Sequence, residues 1–284
     1  MREGGFSASV PVSVVVLTKN EEQNIGACLE SIRWSSDVHV VDSGSSDSTV
    51  SIAEKFGARG VLHPFESFAG QRNWALDNLG FKHEWVLFLD ADERSTEKFM
   101  ESVSEAISKA GESTAGFYCC ARTTHEGRRL RGSDSLTKWQ FRLVRRGRAR
   151  FRDFGHGQKE DGVRGELGYI KEPYLHYPLS KGWTDWFDRH NRYSLQDAAE
   201  RLNAKVSFKD LLSTHASARN KGLKPLVSRL PCWPLIYFSI IYLLNLGFLD
   251  GRIGLDYCIN LAHYEFMIQV KMRELARAGR KGAS

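Results

Sequence analysis

Asp90 and Asp92, one residue apart and followed by Glu93, close an apolar run that begins at Trp85. Carboxylates at that spacing on a strand end offer hard oxygen ligands, a donor set suited to Mg²⁺ or Mn²⁺. The same residues also suit a helix start, because acidic side chains favour the first turn and a helical pattern follows from Glu97 to Ala110. Other chemically able groups stand in comparable places: Glu21 after Val12 to Leu17, Asp42 and Asp47 around the end of a second apolar run, and Arg72 within Gln71-Arg72-Asn73. A crevice so rich in carboxylates repels a diphosphate unless a metal ion neutralises it.

The elements that must position these groups are legible in order. Val12 to Leu17, Val38 to Asp42, Gly60 to His63 and Trp85 to Leu89 read as strands; Asn24 to Ile32, the stretch ending at Phe56, and Phe68 to Leu79 read as helices. Five large apolar residues in a row from Trp85 indicate a strand buried on both faces. Repeated βα units imply a right-handed, mostly parallel sheet, and such sheets bind ligands at their C-terminal strand ends. Glu21, Asp42, Asp47, Asp90 and Asp92 all fall at that edge. No G-x-G-x-x-G follows the first strand and no phosphate-binding G-x-x-x-x-G-K-[ST] occurs, which counts against a dinucleotide site and removes the P-loop class.

Composition narrows the class. The 284 residues suffice for one full core and a smaller second unit. Five cysteines without C-x-x-C spacing point to reduced thiols in a cytosolic setting rather than to a disulfide framework or a zinc site. Met1 to Pro11 lacks the apolar core of a signal peptide and reads as a flexible tail. The net charge of +6 is unevenly placed: residues 1–121 hold 10 Lys and Arg against 18 Asp and Glu, 122–152 hold 11 against 2, and 201–284 hold 13 against 5. The segment 122–152 suits a nucleic acid, a phosphorylated lipid-linked acceptor with anionic headgroups, or plain solvent, although it matches no nucleic-acid-binding module.

Four stretches, taken together, carry a resemblance: Val12 to Glu21, Val40 to Thr49, Gln71 to Ala75, and Leu87 to Glu93. In sequence order and at successive strand ends they resemble a family 2 glycosyltransferase, in the branch of lipopolysaccharide inner-core and exopolysaccharide glucosyltransferases, across nearly the whole chain. The resemblance implies a GT-A fold, a mixed and mostly parallel sheet flanked by helices. It implies an inverting, metal-dependent transfer of a sugar from a UDP-sugar to a lipid-linked or polysaccharide acceptor, with Mg²⁺ or Mn²⁺ as cofactor and no nucleic acid partner. By the same resemblance Thr18, Asn20 and Glu21 lie against the nucleotide, and Asp42 hydrogen-bonds the uracil edge or serves as a turn residue. Asp47 is the cap of a helix. Arg72 contacts the diphosphate or uridine, or pairs with a neighbouring carboxylate. The resemblance implies Asp92 as the direct metal ligand of the pair, Asp90 and Ala91 against the sugar nucleotide with Asp90 also near the metal, and His176 near metal or leaving group, or else packed in the core.

Transfer further needs a base for the acceptor hydroxyl. Relatives in this branch often show His-Glu after a basic strand, whereas here Phe141 to Gly147 is followed by Gly155-His156-Gly157-Gln158-Lys159-Glu160-Asp161, with Gly157 in the carboxylate's place. Glu160 is the preferred candidate, then Asp161, with His156 as base, orienter or sugar contact.

Residues 1–11 thus read as a tail, 12–181 as the catalytic domain, and 182–284 as a helical region. Trp183 to Leu202 reads as one helix containing His190-Asn191-Arg192-Tyr193-Ser194. Cys232 to Leu249 has no formal charge but holds Pro234, Ser239 and Asn245, at the lower limit of a membrane span of roughly 17 to 25 residues. With aromatics at Trp233, Tyr237, Phe238 and Tyr242 and flanking Lys221, Lys224, Arg229 and Arg252 it suits a helix lying in a membrane interface, a buried core helix, or a span. Gly247-Phe248-Leu249-Asp250-Gly251 breaks it before a last helix from Leu255 to about Ala278. Peripheral attachment to the inner face of the cytoplasmic membrane is the expectation, with an anionic lipid surface as partner. Rival readings are a non-catalytic saccharide or nucleotide binding protein on the same scaffold and a nucleotidyltransferase, whose first loop would be glycine-rich and basic at its end. A haloacid-dehalogenase phosphatase would carry its aspartates on the first strand.

Overall fold

The computed structural model describes residues 9–134, 138–204 and 227–281; Lys221 and Lys224, and most of the N-terminal tail, lie outside them. Strand β1 (Val12–Thr18) is buried at every position, as its β-branched run requires of a strand covered on both faces. It pairs in parallel with β2 (Val38–Asp42) on one side and with β4 (Trp85–Asp90) on the other. The register sets Thr18 beside Asp42 and Leu17 beside Asp90, so three functional strand ends finish level.

The sheet continues outward through β3 (Arg59–Leu62) beyond β2. On the other side β8 (Trp139–Arg145) runs antiparallel to β4, followed by β6 (Thr114–His125), β11 (Glu166–His176) and the two-residue β5 (Glu93–Arg94). β7 (Arg128–Arg129) forms a hairpin with β6, and β9 (Arg150–Phe154) pairs with β10 (Gly157–Asp161) in a separate ribbon. This is the expected mixed, mostly parallel sheet.

Alternation along the central strands divides the core between the two faces. Val14, Val16, Leu87 and Leu89 pack with α1 (Ile25–Ser31), α2 (Thr49–Lys55) and α4 (Glu97–Lys109), whereas Val15, Val86 and Phe88 pack with α3 (Phe68–Asn78), Phe141 and Phe151. Asn73 on α3 clasps the backbone of Phe151, donating from Nδ2 to its carbonyl at 2.8 Å and accepting its N–H at 3.0 Å. Thr96 caps α4 by accepting the Phe99 N–H at 3.1 Å, so the helix-start role that suited Asp92 and Glu93 is filled elsewhere.

The chain divides into two compact units. The first takes the described residues of Met1–Arg129, Leu136–Asp153 and Gly157–Lys181, and the second those of Leu130–Ser135, Phe154–His156 and Gly182–Ser284. The second is built on α5 (Gly182–Asn203), α6 (Trp233–Ser239) and α7 (Gly251–Lys281). Between the last two lie a π-helical turn, Ile240–Leu244, and a 3₁₀ turn, Gly247–Asp250, separated by Leu246 in the left-handed region. Arg201 makes a bidentate pair with Glu265 at 2.6 and 2.8 Å, and the Trp233 indole N–H donates to the same carboxylate. Three helices are thereby fastened through one buried anion. All five cysteines are free thiols.

Candidate active site

Asp90 and Asp92 differ sharply in their surroundings. Arg72 Nη2 reaches Asp90 Oδ1 at 3.1 Å, and Arg142 Nη2 reaches Asp90 Oδ2 at 2.8 Å and Glu93 Oε1 at 2.7 Å. Glu93 also accepts the Asp90 backbone N–H at 2.8 Å, closing a ring of two cations and two carboxylates. Burial alone would raise the Asp90 carboxyl, but Arg142 and Arg72 outweigh it and hold the group well below the usual range. Glu93 is shifted the other way, since burial dominates over Arg142.

Asp92 instead faces β11. His176 pairs with Glu93 in the strand register, and the Tyr177 N–H donates to the Asp92 carbonyl at 2.9 Å. That pairing brings His176 Nε2 to 3.5 Å from Asp92 Oδ2. Burial would lower the His176 imidazole, yet the Asp92 carboxylate overcomes it and raises the value. An oxygen and a nitrogen donor therefore sit side by side at the sheet's C-terminal edge.

Two of the expected site residues are buried. Arg72 has no exposed surface; its guanidinium lies against the rings of Phe68, Phe88 and Phe151 and pairs with Asp90, the carboxylate-pairing role of the two expected of it. Ala91 is buried in the core, with its carbonyl accepting from Arg94 at 2.6 Å.

The loops after β1 and β2 are laced together. Asp42 accepts the Thr18 hydroxyl at 2.9 Å and the Ser45 hydroxyl at 2.5 Å on one oxygen, and the Gly44 and Ser45 N–H groups at 2.9 and 2.7 Å on the other. A carboxylate offers about four acceptor positions, so all are in use and the turn role is the one this geometry fills. A uracil edge would meet Asp42 only by displacing one of these donors, most simply the Ser45 hydroxyl. Asn20, at φ 53°, accepts the Ser46 N–H at 2.8 Å, and Asp47 accepts the Thr49 N–H at 3.0 Å at the start of α2. Glu21 receives Lys181 Nζ at 2.6 Å and Asn24 Nδ2 at 2.7 Å; burial raises its carboxyl against both.

The three candidate bases lie in unlike settings. Glu160, half-buried on β10, hydrogen-bonds the Tyr118 phenol, whose ionisation is suppressed by burial and then by that carboxylate. Asp161 is exposed. His156 belongs to the helical unit, where its Nδ1 lies 3.0 Å from Asp197 Oδ1 and its ring stacks on Tyr193 at 4.6 Å.

Arg142, Lys181, Asp197 and Tyr264 escaped sequence reading, Arg142 because it stood inside a basic run. Two more of its cations are also paired: Arg145 with Glu84 at 2.8 Å and Arg150 with Asp77 at 2.7 Å. The His190 to Ser194 stretch gains a structural account, since Lys271 Nζ donates to Asn191 Oδ1 and Ser194 Oγ, both at 2.8 Å, while His190 stacks on Trp186 at 3.6 Å. Asp250 of the Gly-Phe-Leu-Asp-Gly turn accepts the N–H groups of Arg131 and Ser133 at 3.0 and 2.8 Å.

With this geometry in place, the comparisons with known proteins are specific. Residues 13–162 match the family model described as glycosyl transferase family 2. The chain is 24% identical over 269 residues to a lipopolysaccharide core biosynthesis glycosyltransferase, LpsC, of Rhizobium meliloti, covering 93% of this chain and 92% of that protein. It is 37% identical over 98 residues, 34% of each chain, to an uncharacterized glycosyltransferase of Rickettsia conorii. Among solved structures, the mannosyltransferase PcManGT of Pyrobaculum calidifontis, in complex with GDP-Man and Mn²⁺, aligns with a TM-score of 0.51 at 17% identity, covering 94% of this chain and 88% of that one. That likeness establishes the GT-A architecture.

Proposed function

Because the chain belongs to glycosyl transferase family 2, and is therefore a glycosyltransferase, we propose that it moves a sugar with inversion from a UDP-sugar to a lipid-linked, lipopolysaccharide-type acceptor. The observation that carries this reading is the pairing of Asp92 with His176 at the sheet's C-terminal edge, beside loops that Thr18, Asn20, Glu21 and Asp42 hold in shape. LpsC supports the acceptor class, and the GDP-Man bound to PcManGT supports a nucleotide-sugar donor.

A divalent cation fits the residues present. Asp90 is neutralised by two arginines, which leaves the Asp92 carboxylate and His176 imidazole as the donors. Among the described residues no three His, Cys, Asp or Glu side chains converge as a complete metal site, so the remaining positions would fall to diphosphate oxygens and water. The mixed oxygen and nitrogen donor set favours Mn²⁺ over Mg²⁺. Bound there, the ion supplies Lewis-acid neutralisation of the charge that gathers on the departing nucleoside diphosphate. The protein's own part is to hold Asp92 through β5 and β11, keep Asp90 and Glu93 locked, and present a base among Glu160, Asp161 and His156 to the acceptor hydroxyl.

The helical unit supports peripheral attachment to an anionic membrane face. No single described helix is long and apolar enough to cross a bilayer, although the pair Trp233–Leu244 and Gly247–Ala278, bent by 70°, passes together on length and composition. Leu244 and Leu249 are 75% and 69% exposed at the bend, with Leu235 and Leu243 also open, and Arg229 and Arg252 flank them. Apolar side chains rimmed by cations are the composition of an interfacial segment. A cytoplasmic location on the inner leaflet belongs to this reading, and reduced thiols agree with it.

The test is UDP binding with Mn²⁺, together with transfer from labelled UDP-glucose and GDP-mannose into a lipopolysaccharide fraction. Asp92→Asn is expected to lower transfer by about 10²-fold or more, with the fold retained. A wild-type protein that binds neither nucleotide in the presence of Mn²⁺ would overturn the transferase reading in favour of a non-catalytic scaffold.

A further inference from the structure

Resting on the transferase reading, we propose that Tyr118, Trp139 and Tyr169 form an aromatic corner that seats a sugar ring of the acceptor, with Glu160 accepting from its hydroxyls. All four residues belong to the sheet unit. The register places the rings together: Tyr118 on β6 pairs with Phe141 on β8 and with Tyr169 on β11, and Trp139, two residues from Phe141, shares its face. Tyr118 and Tyr169 stack at 5.1 Å and 20°, and Trp139 stands against Tyr169 at 5.0 Å and 82°. Buried Phe141 supports them from 5.7 Å below Tyr118, in a space kept open by Gly116, where a Cβ would come within 2.5 Å of its ring.

The chemistry of the corner selects its occupant. Trp139 is 39% and Tyr169 56% exposed, so two fixed rings at right angles face water beside a half-buried carboxylate. A pyranose has C–H faces and a rim of hydroxyls. Its C–H groups suit the negative π faces of the rings, and its hydroxyls suit Glu160, which as a carboxylate can only accept. The Tyr118 phenol, held protonated by burial and by Glu160, takes part of that carboxylate and leaves the remaining acceptor positions to the ligand. An acyl chain would fit the rings but would strip water from Glu160 without replacing its hydrogen bonds.

The corner is continuous with the catalytic edge through the strands that carry it. β8 runs antiparallel to β4, pairing Leu143 with Leu87, so Trp139 falls at the same end of the sheet as Asp90. Three residues on, Arg142 holds Asp90 and Glu93, and Gln140 between them accepts from Arg142 Nε at 2.7 Å and from the Tyr174 hydroxyl at 3.0 Å. His176 lies seven residues beyond Tyr169 on β11, a span of at most about 23 Å at about 3.3 Å per residue. The sugar seated here is therefore one removed from the reacting hydroxyl, and its binding anchors the acceptor rather than driving the chemical step.

The test titrates lipopolysaccharide core oligosaccharide, freed of its lipid by mild acid, into the full chain loaded with UDP and Mn²⁺, by calorimetry. Trp139→Ala and Tyr169→Ala are each expected to weaken oligosaccharide binding by about 5- to 10-fold with UDP affinity unchanged. Trp139→Phe, which keeps a ring, should stay within about threefold of wild type. In transfer assays the loss should appear in the acceptor KM, with kcat retained. Oligosaccharide affinity unchanged in both alanine variants, no oligosaccharide binding by the nucleotide-loaded wild type, or a fall in UDP affinity that parallels the loss would each overturn the assignment. So would a loss confined to flotation with anionic phospholipid vesicles, which would make the rings a lipid contact. Failure of the transferase reading is distinguishable, because wild type would then bind no nucleotide, whereas failure of the corner leaves nucleotide binding intact.

Discussion

Replacing Arg142 by Met would expose how the catalytic edge is held together. Arg142 is 1% exposed, and its Nη2 alone bridges Asp90 at 2.8 Å and Glu93 at 2.7 Å; its Nε donates to Gln140 at 2.7 Å. Methionine matches much of the volume, so the loss is electrostatic rather than a cavity. Removing one partner of a buried ion pair costs about 3–5 kcal/mol, because the other charge is left uncompensated. At about 2–4 °C per kcal/mol for a chain of this size, the melting temperature should fall by roughly 6–20 °C. The sign of the mechanism is checked by the double variant Arg142→Met/Glu93→Gln, which removes the stranded charge and should recover about half of the loss. Thermal and urea denaturation of the four members of this cycle, read by circular dichroism, give the coupling energy. A single-variant loss below about 1 kcal/mol, or a double variant that adds the two losses, would refute the ring as a coupled unit.

The other predictions are shorter. Asp197 has its folded value depressed to about 2 from 3.8, so its contribution is present above the unfolded value and is lost as pH falls from about 4 towards 2. Asp197→Asn should be less stable than wild type by about 2 kcal/mol at pH 7, and the gap should close in that acid window; urea titrations at both ends would measure it, and a gap constant with pH would refute the linkage. Wild type should float with vesicles of anionic phospholipid at low salt, and Leu244→Glu/Leu249→Glu should bind about 100-fold more weakly if each leucine contributes on the order of 1.5 kcal/mol. Equal flotation of the double variant would remove the bend from the lipid contact. Asn73→Ala, which frees the Phe151 backbone, should destabilise by about 1–3 kcal/mol, measured by urea denaturation; a change within experimental error would show that the clasp is replaceable by water.

The central sheet could be read from the sequence because its signals are local. Trp85 to Leu89 can only be a strand covered on both sides, and the polar residues that follow each such run fall at one edge by the handedness of βα units. What that edge does with its charges was not legible. Arg142 lies 49 residues from Glu93, and Lys181 lies 160 residues from Glu21. No spacing rule connects residues whose adjacency depends on β11 returning beside β6 and then meeting β5. Part of the basic stretch 122–152 was hidden for the same reason: folded, Arg142, Arg145 and Arg150 spend their charge on carboxylates of the acidic half. In the helical unit the apolar stretch and its breakers were visible, while the left-handed turn at Leu246 was not. There a Cβ on Gly132 would meet the Leu246 carbonyl at 2.2 Å, a close approach that no periodicity announces.

Charge balance finally says why two aspartates one residue apart should do different work. Asp90 is held between the cations Arg72 and Arg142, and Glu93 shares Arg142, so the Asp90 carboxylate is already balanced and attracts a further cation weakly. Asp92 then meets an incoming divalent ion with a single carboxylate and one imidazole, too few donors for tight binding by the protein alone. On the proposed metal-assisted reading, the diphosphate of the donor would complete the set, which would make metal and nucleotide affinities interdependent and, by linkage, equally so in both directions. Mn²⁺ should therefore bind poorly to the free protein and at least about tenfold more tightly with UDP present, a coupling of about 1.4 kcal/mol. Titration of Mn²⁺ by electron paramagnetic resonance with and without UDP measures it, with Asp92→Asn as the variant in which the coupling should vanish. Tight Mn²⁺ binding without nucleotide would mean that Asp90 leaves its arginines to become a second carboxylate ligand, and the division of labour between the two aspartates would fail.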